Sequence, residues 1–128
     1  MHNIVDNLTS IENEIKIKIK DSSLDNYNPN IIAVSKTFSI NHITPLIENG
    51  HIDFGENKVQ EAIEKWSKIK IANKDIKLHM IGKLQTNKVK YAINLFDYIH
   101  SLDSVKLAKK ISEEQNKNKK RLKIFIQI

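Results

Sequence analysis

The sequence predicts an α/β fold built on parallel strands. Three observations carry that expectation. Short apolar runs alternate with longer segments whose apolar residues recur every three or four positions. The links between them are short, and strand–helix–strand units of this kind close as parallel pairs with right-handed crossovers. Polar residues recur just after the strand-like runs, where ligands sit in parallel α/β folds.

Taken in order, Ile4, Leu8, Ile11, Ile15 and Ile19 fall on one helical stripe and predict a helix over 3–20. The alternation from Ile15 to Lys20 would also suit a strand, but the longer pattern favours helix. Asp21 to Asn30 forms a polar break closed by Pro29. βα units then run from about 31 to 128. Ile31 to Val34 reads as a strand buried on both faces. Ser39 to Asn49 reads as a short helix ended by Gly50, with Pro45 kinking it or delaying its start. Ile52 to Phe54 is a minimal second strand. Asn57 is placed to cap the next helix, with Gln60 answering from the third position. Val59, Ala62, Ile63, Trp66 and Ile69 form its inward stripe. Lys77 to Ile81 is the third strand, followed by a helix near Thr86 to Leu95. Tyr98-Ile99 is the fourth strand, Asp103 the cap of another helix with Leu102 and Leu107 as a staple, and Leu122 to Ile128 the fifth strand. An open doubly wound sheet and a (β/α) barrel both satisfy this pattern. A complete barrel has eight strands and roughly 250 residues, so a barrel reading makes this chain its first part.

The chain has 128 residues, the length of one ordinary domain spanning 1–128. It has no cysteine, which excludes disulfides, a thiolate nucleophile and a cysteine zinc site. No apolar run approaches the roughly 18 residues of a membrane span. The opening MHNIVDNLTS lacks the basic and apolar regions of a secretory signal. The expectation is a cytoplasmic protein without a membrane partner. The net charge of +6 rests on lysines spread along the chain and interleaved with acids, with Arg121 the single arginine. Nucleic-acid readers cluster their charge and favour arginine, so nucleic acid is not an expected partner. No glycine-rich phosphate loop, HExxH or metal-spaced carboxylate cluster occurs, and no metal site is expected.

Lys36, at the end of the first strand, is the sharpest chemical candidate. A lysine held against apolar surroundings is pushed toward the neutral amine, which attacks aldehydes to form a Schiff base. The same residue also suits a side chain reaching out of the strand end to water. Glu56 and Asn57 follow Gly55 and suit either ligand orientation or helix capping. His79 lies within a strand and suits either the mouth of the sheet or a hydrogen-bonded core position. Gly82 permits close backbone approach to a ligand, or a tight strand-to-helix turn. His79 and His100 are too far apart in sequence to form a site by spacing.

The segments AVSK (Ala33 to Lys36), FGENKVQE (Phe54 to Glu61), HMIGKLQTNK (His79 to Lys88) and HSLDS (His100 to Ser104) follow one another in order. Together they resemble the pyridoxal phosphate homeostasis protein family, also called proline synthase co-transcribed or YggS-like, across essentially the whole chain. The resemblance implies a parallel (β/α) barrel of the alanine racemase N-terminal type, here incomplete with about five strands. It implies pyridoxal 5′-phosphate at the barrel mouth, held as a Schiff base on Lys36. Asn57 and His79 match motif positions near the cofactor, and Gly82 belongs to the third motif. The implied role is binding and intracellular homeostasis of pyridoxal phosphate (vitamin B6), with no catalytic residue. A racemase- or decarboxylase-like enzyme using the same lysine, or a non-functional fragment of a split gene, are the alternatives. The implied partners are the cofactor itself, apo-enzymes that use it, and a complementary C-terminal half. Two departures stand out. Phe38-Ser39 occupy the place where the family has a basic residue and proline. The family's later strands also supply the serine, glycine and threonine groups that hold the phosphate, so the chain alone is expected to bind the cofactor weakly or not at all and to associate unless complemented.

Overall fold

Apolar periodicity becomes alternating helix and strand along the chain. In the computed structural model, which describes residues 3–24 and 26–128, the elements run α1 (Ile4–Asp21), β1 (Ala33–Val34), α2 (Ile40–Glu48), β2 (Asp53–Glu56), α3 (Val59–Ala72), β3 (Lys77–Met80), α4 (Val89–Ala92), β4 (Tyr98–Leu102), α5 (Val105–Asn118) and β5 (Lys123–Ile126). A single 3-10 turn, Thr86–Lys88, leads into α4. Asp25, within the expected Asp21–Asn30 break, and the first two residues of the N-terminal stretch lie outside the described residues.

Two compact units form. One comprises Met1–Ile31 and Ser39–His51, the other Ile32–Phe38 and Ile52–Ile128. In the first, α1 starts at Asn3, whose side chain accepts the Val5 N–H at 2.9 Å. Of its stripe Leu8 is buried, whereas Ile11 keeps 49% of its surface. α2 packs on α1 and buries Ile43 and Leu46. It ends where Gly50, at φ +91°, lets Gly50 and His51 N–H reach the Ile47 and Leu46 carbonyls. That double closure needs a left-handed residue, which glycine adopts without a Cβ clash.

The second unit is a five-stranded sheet, parallel throughout, in the order β1-β2-β3-β4-β5. The order is sequential, without the reversal that creates the ligand crevice of doubly wound sheets. Register places Val34, Gly55, His79, Tyr98 and Lys123 in one row across all five strands. On one face lie the buried Phe54, Leu78, Met80 and Ile99, and the helices that follow contribute the buried Ala62, Trp66, Val89, Ala92 and Leu107. The Phe54 and Trp66 rings lie 4.9 Å apart. Alternation then turns Val34, Asp53, His79, Tyr98 and His100 to the opposite face.

Several expected elements shift. β1 is two residues long, and Val34 is 48% exposed instead of buried on both faces. It is an edge strand, and Val34 lies on the face away from Trp66, so the two-sided burial of a central parallel strand does not apply. Gly55 and Glu56 belong to β2 and do not follow it. Lys58, not Asn57, is the N-cap of α3 and makes no side-chain capping bond; Gln60 donates to Glu64. β4 runs to Leu102, which places His100 inside the strand and moves the α5 cap from Asp103 to Ser104. The Ser104 hydroxyl accepts the Leu107 N–H at 3.2 Å. The helix expected over Thr86–Leu95 is instead the 3-10 turn followed by a single turn of α4.

Candidate functional site

Lys36 sits just past the C-terminal end of β1 and is exposed. Among the described residues its Nζ has no hydrogen-bonding or ionic partner. Its backbone, in contrast, is held on both sides. The Ser35 N–H donates to the Gly55 carbonyl at 2.9 Å, which continues the β1–β2 ladder one step. The Ser35 carbonyl accepts from Lys65 Nζ at 2.7 Å. The Thr37 N–H donates to Glu61 Oε1 at 2.7 Å.

Beneath this loop lies Glu56, whose side chain is fully buried. Its Oε2 accepts from Ser35 Oγ at 2.5 Å, Lys65 Nζ at 3.0 Å and Trp66 Nε1 at 3.0 Å. A buried carboxylate is tolerable only with such charge-assisted partners. Glu56 thus ties β1 and β2 to α3 on the helix side of the sheet, and neither caps a helix nor faces the opposite surface.

On that opposite surface the register assembles a chain of polar rings. His79 Nε2 lies 2.9 Å from Asp53 Oδ1, and His79 Nδ1 lies 2.9 Å from His100 Nε2. The Tyr98 ring stacks on His79 at 4.2 Å and 7°, and Phe125 stacks on His100 at 4.6 Å. An ionised Asp53 assigns the Nε2–H tautomer to His79, leaving Nδ1 to accept from His100. Partial burial, followed by the neighbouring His79, lowers the His100 pKa below its ordinary 6.5.

Asn57 follows β2 at the same C-terminal end as Lys36 and is half-buried. Gly82, after β3, faces Asn57: a Cβ there would lie 2.6 Å from the Asn57 carbonyl oxygen and 2.8 Å from its Cα. The glycine is thus required for the two rim loops to touch. Lys36, Asn57 and Gly82 all lie beyond the C-terminal ends of their strands, whereas His79 lies inside β3 on the sheet face.

Five participants escaped the sequence reading as a group: Asp53, Tyr98, His100, Glu61 and Lys65. His79 is 26 residues from Asp53 and 21 from His100, so spacing carries no hint of their union. Strand register was the missing signal. Glu61 and His100 do lie within quoted motifs, FGENKVQE and HSLDS. Among the described residues, no three His, Cys, Asp or Glu side chains converge as a metal shell. No described helix is long and apolar enough to cross a membrane.

No protein-family model matches the chain. Curated relatives do. It is 35% identical over 126 residues to the pyridoxal phosphate homeostasis protein of Haemophilus influenzae, covering 98% of this chain and 53% of that protein. It is 38% identical over 119 residues to the protein of that name from Pongo abelii, covering 88% and 43%. Among solved structures it is similar to PipY of Synechococcus elongatus. Without PLP, that structure matches with a TM-score of 0.71 and 37% identity over 80% of this chain and 49% of PipY. With PLP bound, the match has a TM-score of 0.70 and 34% identity over 84% and 51%. By sequence and by fold, the chain is similar to the pyridoxal phosphate homeostasis proteins and spans about half the length of the curated relatives it matches.

Proposed function

We propose that this chain binds pyridoxal 5′-phosphate through Lys36 and serves intracellular homeostasis of that cofactor, not catalysis. One observation carries the reading: an exposed primary amine with no internal partner stands at the C-terminal end of β1, inside the AVSK motif. The donor set suits the group, since an amine is the nucleophile that a carbonyl cofactor takes. When bound, the cofactor supplies an electron-withdrawing ring and a reactive aldehyde carbon. Lys36 would hold it covalently. Asn57 would orient the ring from the end of β2. His79 would contribute from β3, its ring direction fixed by Asp53 and His100. Gly82 would act through Asn57, whose backbone it admits.

The sequential parallel sheet, with its ring-lined face, supports reading these strands as part of a (β/α) barrel of the alanine racemase N-terminal type. Apo-enzymes that use the cofactor, or a chain carrying the remaining strands, are the partners this reading implies. Titrating the chain with pyridoxal phosphate and following visible absorbance tests it. Saturable binding that disappears in Lys36→Ala is the expected result; equal binding by both chains refutes it.

A second reading, amino-acid-transforming activity, has one specific observation in its favour. Asp53, His79 and His100 form a hydrogen-bonded chain able to hold and pass a proton between His79 Nδ1 and His100 Nε2. Racemisation of a free amino acid that depends on both Lys36 and His79 would establish it.

A further inference from the structure

We propose that Glu61 is a positioning residue for Lys36, clamping Thr37 in a left-handed conformation and so fixing the backbone from which the amine projects. The inference rests on the reading that Lys36 holds the cofactor.

Thr37 has φ +65°. A β-branched residue there is a steric outlier that persists only where its surroundings enforce it. The enforcing contact is Glu61 Oε1, which accepts the Thr37 N–H at 2.7 Å, while Thr37 Oγ1 donates to the Lys36 carbonyl at 2.6 Å. On the other flank, Lys65 Nζ donates to the Ser35 carbonyl and approaches Glu61 Oε1 at 3.4 Å. Glu61 and Lys65 are four residues apart on α3, so one face of one helix grips the residues before and after Lys36. The Phe38 N–H closes the turn on the Ser35 carbonyl at 3.2 Å. Lys36 is left as the one side chain of the turn's centre without a partner among the described residues. A loop that only connected β1 to α2 would not need a strained threonine. A loop that presents a nucleophile gains from restraint, because an amine in a fixed position meets its carbonyl partner more often in the reacting geometry.

Two readouts on the full chain test this: hydrogen exchange at the Thr37 amide, and the rate at which pyridoxal phosphate becomes attached to Lys36. Glu61→Ala should speed exchange and slow attachment by about tenfold or more, the scale of a misplaced reacting group. Glu61→Gln keeps an acceptor oxygen and should retain both values. Glycine takes a positive φ without strain, so in a Thr37→Gly background the conformation no longer has to be enforced and Glu61→Ala should change attachment by no more than about twofold. A merely structural Glu61 would not be rescued in this way. Attachment at the parental rate in Glu61→Ala, with loss in Lys36→Ala, overturns the clamp and leaves the cofactor reading intact. A tenfold loss in the glycine background also overturns it, and this arm decides should the single alanine variant fail to fold. Attachment in the parent chain at a residue other than Lys36 overturns the cofactor reading, and the clamp falls with it.

Discussion

Glu56 is charged, has no exposed side-chain surface and carries three donors on one oxygen. Removing a donor leaves part of a buried carboxylate unpaired. Ser35→Ala should therefore lower stability by about 1–3 kcal/mol, measured by urea denaturation. His100 gives the residue scale a pH dependence. Its folded pKa lies below the unfolded value of 6.5, so the unfolded chain binds the proton more readily. The stability associated with a neutral His100 is present above that unfolded value and is lost as pH falls through the lowered folded pKa. Urea midpoints should accordingly fall between about pH 7.5 and about pH 5. His100→Phe should flatten part of that slope; an unchanged slope would assign the effect to other groups.

At the scale of elements, the rim loops are joined by what glycine omits. Gly82→Ala would drive a Cβ into the backbone of Asn57, where no flexible side chain can yield. The expected cost is about 1–3 kcal/mol in thermal or urea unfolding, with weaker cofactor attachment if the Asn57 loop moves. A neutral result would mean that the loops separate freely. The periodicity of α1 and the inward stripe of α3 were legible because helix patterns repeat over many residues. Strand ends were not. β2 and β4 each extend beyond their apolar runs because ladder bonds to neighbouring strands hold Glu56 and Leu102, whatever their polarity. The cap moved to Ser104 for the same reason. Local chemistry nominated Asp103, and the longer β4 shifted the entry to the helix by one residue.

For the molecule as a whole, the strand order is sequential, without the reversed order of a doubly wound fold. Its two faces differ in kind. One holds Phe54, Leu78, Met80 and Ile99 against helices; the other carries Asp53, His79, Tyr98, His100 and the half-exposed Phe125. The position of Lys36 and the rim motifs was legible because residues after parallel strands gather at one end of the sheet. The ring-lined face was not, because only lateral register brings its members together. Lys36 is the residue proposed to take the cofactor. The most direct test is to incubate the chain with pyridoxal phosphate, reduce with borohydride and locate the pyridoxyl group by peptide mass spectrometry. Modification concentrated on Lys36 is the expected result; modification scattered over the other lysines, with Lys36 no more reactive than they are, would overturn the assignment.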